Sequence, residues 1–237
     1  MSQRDVVLIL GQDGTGKTTE ARRLVAKENR LLVLDAGFEQ FDVPSALGLA
    51  EAVEVLRECR AFGTDAPFRI SFTPLPDEYD LCFLLARDLG NCTIVAEEAD
   101  RFDSMGPWQT EYMFRGRHWG VSIIACTIQP YALPKDLRRI VREVRAFRTS
   151  EVSDLDYLAG LVGEAAYDLP KLRGPGDGSR PPYPYLLWRV GQNAKIIETC
   201  PGEKGGIDSV SGTDAPAVEE IPDGAGSEPA ISDHRGD

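Results

Sequence analysis

A mainly parallel β-sheet carrying helices on both faces is the fold that this 237-residue sequence predicts. Three observations lead there. Short, nearly continuous apolar runs alternate with segments of helical periodicity, the pattern of strands buried on both faces and joined by crossover helices. One of those runs passes through a glycine-rich loop directly into a helix. The longest apolar stretches, Val6 to Leu10 and Val121 to Cys126, are far too short to cross a bilayer.

The strand candidates in chain order are Val6–Leu10, Leu31–Leu34, Phe68–Phe72, Thr93–Ala96, Val121–Thr127 and Val144–Arg148. Helical patterns fall between them at Lys17–Glu28, Ser45–Ala61, Asp77–Leu89, Trp108–His118 and Pro134–Val141. Tyr185–Val190 and Lys195–Glu198 read as a C-terminal hairpin on the sheet edge, turning near Gly191-Gln192-Asn193. Arg173–Pro184, rich in Gly and Pro, reads as a surface loop. Residues 1–200 thus make one domain, and residues 201–237 hold too little apolar surface to offset their ordering entropy and read as a disordered acidic tail.

Composition bounds the setting. Apolar residues make up 42% of the chain, as in globular proteins. Five cysteines, odd in number and without metal-ligand spacing, point to a reducing, cytoplasmic protein with no disulfides. No secretory leader pattern opens the chain. The net charge of −12 is uneven: the tail holds nine acids against two bases, leaving −5 for residues 1–200. That balance does not exclude a nucleic-acid partner, because local patches matter more than the total.

The first strand runs into "GQDGTGKTT", Gly11 to Thr19. Gly11, Gly16, Lys17 and Thr18 match G-x-x-x-x-G-K-[ST] between a strand and a helix. Gln12, Asp13, Gly14 and Thr15 supply the backbone N–H groups of the loop, and Thr19 follows on the helix. Glycines let successive N–H groups turn inward around a phosphate, and the helix N-terminus adds its positive dipole end. Lys17 is placed to reach the β- and γ-phosphates and Thr18 to sit on Mg²⁺. ATP and Mg²⁺ are the expected ligands.

The fourth strand candidate ends in "TIVAEEADRF", with Glu97 and Glu98 adjacent. Ligands in open parallel sheets bind beyond the carboxyl ends of the strands, so this run delivers two acids to the nucleotide. Glu97 suits the metal shell through a water, and Glu98 suits polarising the attacking water. The plainer reading is a solvated acidic turn, since Asp100 and Asp103 continue the charge; the glycine loop is what tips the balance to catalysis.

Taken together, several segments resemble the HerA/FtsK superfamily of P-loop ATPases, nearest to its compact viral and phage DNA-packaging members. "GQDGTGKTT" resembles the family's Walker A motif and "IVAEEADRF" its Walker B; "LLVLDAGFEQF" and "FRGRHWGVSIIACTIQP" resemble its second strand and its arginine-bearing helix end followed by a strand closing on Gln. The likeness spans about residues 5–150. It implies a RecA-like P-loop NTPase fold and an ATPase that moves double-stranded DNA, working as a homo-oligomeric ring, hexamer or pentamer, at a capsid portal vertex and not in a membrane. It implies Gln129 as the γ-phosphate sensor, although Ile128 intervenes after Thr127 and Pro130 follows at once, so Thr127 could share the role. It also implies Arg115 or Arg117 as an arginine finger for a neighbouring subunit. Against that stands pairing with acids on the same helix, such as Glu111.

"PKDLRRIVREVRAFR" (Pro134 to Arg148) carries a net charge of +4 on an acidic chain. It reads either as a track for a phosphate backbone or as a solvated face paired with acids elsewhere. A nucleoside or nucleotide kinase is the alternative to the DNA motor, with "RRIVREVR" as an arginine-bearing lid. A non-catalytic nucleotide-binding scaffold is a third reading.

Overall fold

The computed structural model describes residues 5–35, 41–61, 65–101 and 106–198. The predicted tail (201–237), Phe102 and Asp103, and the Ala36–Gln40 part of the second-strand motif lie outside the described residues.

Among the described residues nine strands form a single sheet in the order β3-β4-β2-β5-β6-β1-β7-β8-β9. The strands are β1 (Val6–Leu10), β2 (Arg30–Leu34), β3 (Ser45–Ala46), β4 (Phe68–Phe72), β5 (Thr93–Ala96), β6 (Ser122–Thr127), β7 (Glu143–Ala146), β8 (Tyr185–Arg189) and β9 (Lys195–Ile197). The first seven pair in parallel; β8 and β9 add antiparallel at one edge, as the hairpin reading expected. The helices are α1 (Lys17–Val25), α2 (Leu49–Ala61), α3 (Tyr79–Leu89), α4 (Pro107–Trp119), α5 (Lys135–Ile140) and α6 (Val152–Val162).

Successive strand residues point to opposite faces, and the core divides accordingly. Val6, Leu8 and Leu10 of β1 join Leu32, Leu34, Ile94, Ala96, Ile123 and Ala125 on one face, beneath apolar positions of α2 through α6. Val7, Ile9, Val33, Val95, Ile124 and Cys126 join the other face, where α1 supplies Ala21 and Val25 and the aromatic rings of Phe147 and Tyr185 supply much of the rest. Helices do cover both faces, but unevenly. The crowded face depends on large buried rings such as Phe83, whose edge meets Tyr112 at 5.4 Å between centroids. Truncating such a ring to Ala costs about 3–5 kcal/mol.

Two regions depart from expectation. Ser45–Ala46 is a two-residue edge strand beside β4, and the helix begins only at Leu49. The sheet ladder outcompetes helix at these two residues because Ser71 N–H already bonds the Pro44 carbonyl. α6, and the 3₁₀ turns at Glu164–Lys171 that pack against it, were not assigned from the sequence. The basic segment divides as expected into a helix, α5, ending at Ile140, and a strand, β7, beginning at Glu143; Arg142 falls between them and shares no helical face with Arg138.

Candidate nucleotide site

The loop between β1 and α1 is shaped by close approach. Gly11 has φ +149°, and a β-carbon there would meet the Phe147 Cβ at 2.7 Å and the Thr15 Oγ1 at 2.9 Å, so no side chain fits. Gly16 caps α1 in the left-handed region, φ +102°, which only glycine adopts without strain. Inside the turn the buried Thr15 hydroxyl donates to the Gln12 carbonyl at 2.7 Å. Lys17 curls over the loop: its Nζ donates to the carbonyls of Gly11 (3.0 Å) and Gln12 (3.1 Å) and lies 3.7 Å from Asp13. On the β7 side, Gln12 N–H donates to the Arg148 carbonyl at 3.2 Å and its side chain to the Ser150 hydroxyl at 3.3 Å.

The acid pair reaches the same place for a reason visible in the alternation. Ile94 and Ala96 face the crowded layer and Val95 faces α1. Glu97, next in phase with Val95, therefore falls on the α1 face. Its N–H still bonds the Leu34 carbonyl at 3.1 Å, so the ladder holds it in strand direction. The carboxylate is 5% exposed and accepts from the Thr18 hydroxyl at 3.3 Å. The Cys126 thiol on neighbouring β6 lies beside it; burial, then the Glu97 charge, push that thiol well above its usual range.

Immediately after, the chain reverses. Ala99 is fully buried, and the turn that takes it into the core puts Glu98 at φ +55°. A non-glycine residue held in the left-handed region carries strain, and such strain gathers at functional sites. Glu98 is less buried than Glu97 and faces the cavity.

A cavity of about 570 Å³ lies between the loop and the strand tips. Of the residues expected there, Asp13, Gly14, Gly16, Lys17, Thr18, Thr19, Glu97 and Glu98 line it. Gly11, Gln12 and Thr15 form the turn behind them. Asp100, Cys126, Thr127 and Ile128 line it as well. Thr127 is 1% exposed, donates to the Asp100 carboxylate at 3.1 Å and accepts the Gln129 N–H at 2.9 Å. Gln129 itself is exposed and does not line the cavity. Pro130 begins a 3₁₀ turn directly after it, leaving Thr127 as the polar side chain at the β6 tip. Asp100 carried no sequence signal beyond a third acid in a run, and its place depends on a partner 27 residues away.

Arg115 and Arg117 lie toward the C-terminal end of α4 and do not line this cavity. Arg115 pairs with Glu111 at 3.3 Å, and Arg117 Nε donates to His118 at 3.3 Å. The basic segment disperses. Arg138 lies over the Tyr157 ring, Arg139 pairs with Asp136, Arg148 with Asp177, and Arg145 is buried between Glu20 and Glu143. A lid cannot be built from Arg145, because β7 is an interior strand of the sheet.

A strand, a glycine turn around the lysine, a helix, and an acid-tipped strand one removed from the first are now all in place. The chain folds as a P-loop NTPase. Solved structures share this fold. The genome packaging NTPase B204 from Sulfolobus turreted icosahedral virus 2, in complex with sulfate, matches with a TM-score of 0.66 at 16% identity, over 86% of this chain and 100% of that one. The same protein in complex with ATP-gammaS matches with 0.63 at 15%, over 83% and 98%. VirB4 of Thermoanaerobacter pseudethanolicus matches with 0.50 at 12%, over 82% and 90%. No family model matches the sequence, and no curated protein does. At these identities the likeness is one of fold, and the chemistry rests on the residues.

Those residues fit a nucleotide with a divalent ion. The Thr18 hydroxyl and the Glu97 carboxylate already meet at the cavity wall. Among the described residues no group of three or more His, Cys, Asp or Glu could hold a metal unaided. Such an ion would complete its shell from phosphate oxygens and water, as Mg²⁺ does in phosphoryl-transfer sites. Among the described residues no helix is long and apolar enough to cross a membrane.

Proposed function

We propose that this protein hydrolyses ATP to move double-stranded DNA, and that its setting is viral genome packaging. The observation that carries the reading is the convergence of Lys17, Thr18, Glu97 and Glu98 on one cavity. The setting draws on the fold shared with the packaging NTPase B204, whose chain is matched over its whole length.

The roles follow from placement. Loop N–H groups and the α1 N-terminus hold the phosphate chain, and Lys17 offsets the charge that builds on its β- and γ-oxygens. Thr18 and Glu97 would hold Mg²⁺, which supplies further charge neutralisation when bound. Glu98 accepts a proton from water as the water oxygen bonds to the γ-phosphorus and the bond to the ADP oxygen breaks. Thr127, braced by Asp100, takes the sensor position in preference to Gln129. Arg115 or Arg117 would serve a neighbouring copy in a ring. The DNA backbone would meet the exposed part of the basic segment, Lys135, Arg139 and Arg142.

The test is phosphate release from ATP with and without duplex DNA, alongside native mass measurement. Duplex-stimulated release by an oligomer is the expected result. Phosphate transfer to a nucleoside or nucleoside monophosphate would replace this reading with the kinase. Intact ATP after prolonged incubation would replace it with the scaffold.

A further inference from the structure

The cavity described so far accounts for the triphosphate and leaves the nucleoside without a seat. The order of strands says where to look. Glu97 and Thr127 stand at the tips of β5 and β6, on one flank of β1, so the γ-phosphate end faces that way. The α-phosphate end of the ligand must leave the loop on the other flank, beside β7. There the Arg173–Pro184 loop comes down onto the glycine turn. A β-carbon placed on Gly14 would stand 3.5 Å from the Pro175 Cγ. Pro175 is exposed and Gly174 beside it is buried.

This loop is built, not loose. The Asp177 carboxylate accepts from the N–H groups of Gly174 (2.7 Å) and Ser179 (2.8 Å) and from the Ser179 hydroxyl. Its other tie is Arg148, at 3.4 Å, whose stem runs so close that a β-carbon on Gly174 would meet its Cδ at 2.7 Å. Arg148 in turn takes the Gln12 N–H on its own carbonyl, 3.2 Å away, so one residue ties the glycine turn to the loop. The Ser179 and backbone donors, with Arg148, hold the Asp177 carboxyl down at about 2, so the latch stays ionised at neutral pH. The Arg148 side chain remains 31% exposed. A guanidinium plane and a proline ring are both surfaces on which a flat heterocycle stacks.

We infer that the Gly174–Ser179 loop, latched by Asp177 to Arg148, is the wall against which the base and ribose of the bound nucleotide rest. This rests on the nucleotide-binding reading above. The wall contributes to the nucleoside and nothing to the phosphates. It therefore separates two ligands that the glycine turn alone would treat alike: ATP and inorganic tripolyphosphate.

Calorimetric titration of the full chain with each ligand, in the presence of Mg²⁺, tests it. Arg148→Ala removes the stacking surface and the latch together; Pro175→Ser removes only the ring and leaves Asp177 and Arg148 in place. Arg148→Ala is expected to weaken ATP binding about tenfold, about 1.4 kcal/mol, with Pro175→Ser showing a smaller loss in the same direction. Tripolyphosphate binding should stay within about twofold in both. Equal weakening of both ligands, or ATP binding unchanged in both variants, overturns the wall. A wild-type chain that binds neither ligand overturns the nucleotide site itself, and the wall with it.

Discussion

Two buried carboxylates flank α1, and they are treated in opposite ways. Glu20, one turn into the helix, is clamped between guanidiniums: Arg23 grips it through two hydrogen bonds of 2.8 Å and Arg145 reaches it from β7. Arg145 is also held by Glu143, which Arg189 ties from β8 at 2.6 Å. Glu97, reaching the first turn of α1 from β5 on the opposite side to β7, takes the hydroxyl of Thr18, lies beside the Cys126 thiol and opens onto the cavity. The first arrangement satisfies its charges internally and welds α1 to β7 and β8. The second sets a charge where an incoming cation and phosphates can meet it. Burial alone does not distinguish a structural acid from a site acid; the chemical character of the partners does.

The comparison can be broken by substitution. The largest expected effect is at the site: Lys17→Ala should lower ATP turnover on the order of a hundredfold or more with the fold intact, checked by phosphate release and circular dichroism. Wild-type turnover in that variant would remove the glycine turn from the chemistry. Next is the weld. Arg145→Met removes the buried guanidinium that Glu20 and Glu143 share, leaving Arg23 and Arg189 as their remaining partners, and should cost about 2–3 kcal/mol in denaturant unfolding. Glu97→Gln keeps the Thr18 hydrogen bond and should cost less than about 1 kcal/mol while suppressing turnover. Equal destabilisation by the two would erase the division between them.

The smallest effect is on acid stability. Burial pushes the Glu20 carboxyl up, but the Arg23 hydrogen bond and the Arg145 and Arg23 charges outweigh it, and the net shift is downward. A lowered folded value means stability that is present above the unfolded pKa, about 4.3, and lost as pH falls through the folded one. Melting profiles of Glu20→Gln should therefore lie beneath wild type above about pH 4.3 and close on it as the pH falls from there through the lowered folded value. A constant gap across the range would mean that the Glu20 charge adds nothing.

What could be read from the sequence follows the range of the interactions that decide it. The glycine turn is local: nine consecutive residues carry its geometry. The strand before Glu97 is local too, and period-two alternation is enough to aim that acid at α1. The fate of Arg145 was not legible, because its partner Glu20 lies 125 residues away and only the pairing of β7 with β1 brings them together. The exchange of Gln129 for Thr127 at the cavity depends on where β6 ends and the Pro130 turn begins, a matter of one or two residues. Ser45–Ala46 gave no strand signal because two residues have no periodicity. α6 went unassigned although Leu155, Leu158 and Val162 keep helical spacing, its run being interrupted by Gly160.

The claim on which the rest depends is that the glycine turn and the acid-tipped strand act on the same triphosphate. Glu98→Gln isolates it: the substitution keeps size and hydrogen bonding and removes the base. Equilibrium ATP binding and single-turnover hydrolysis, measured on that variant, should show wild-type affinity with hydrolysis lowered on the order of a hundredfold or more. Hydrolysis at the wild-type rate would contradict it.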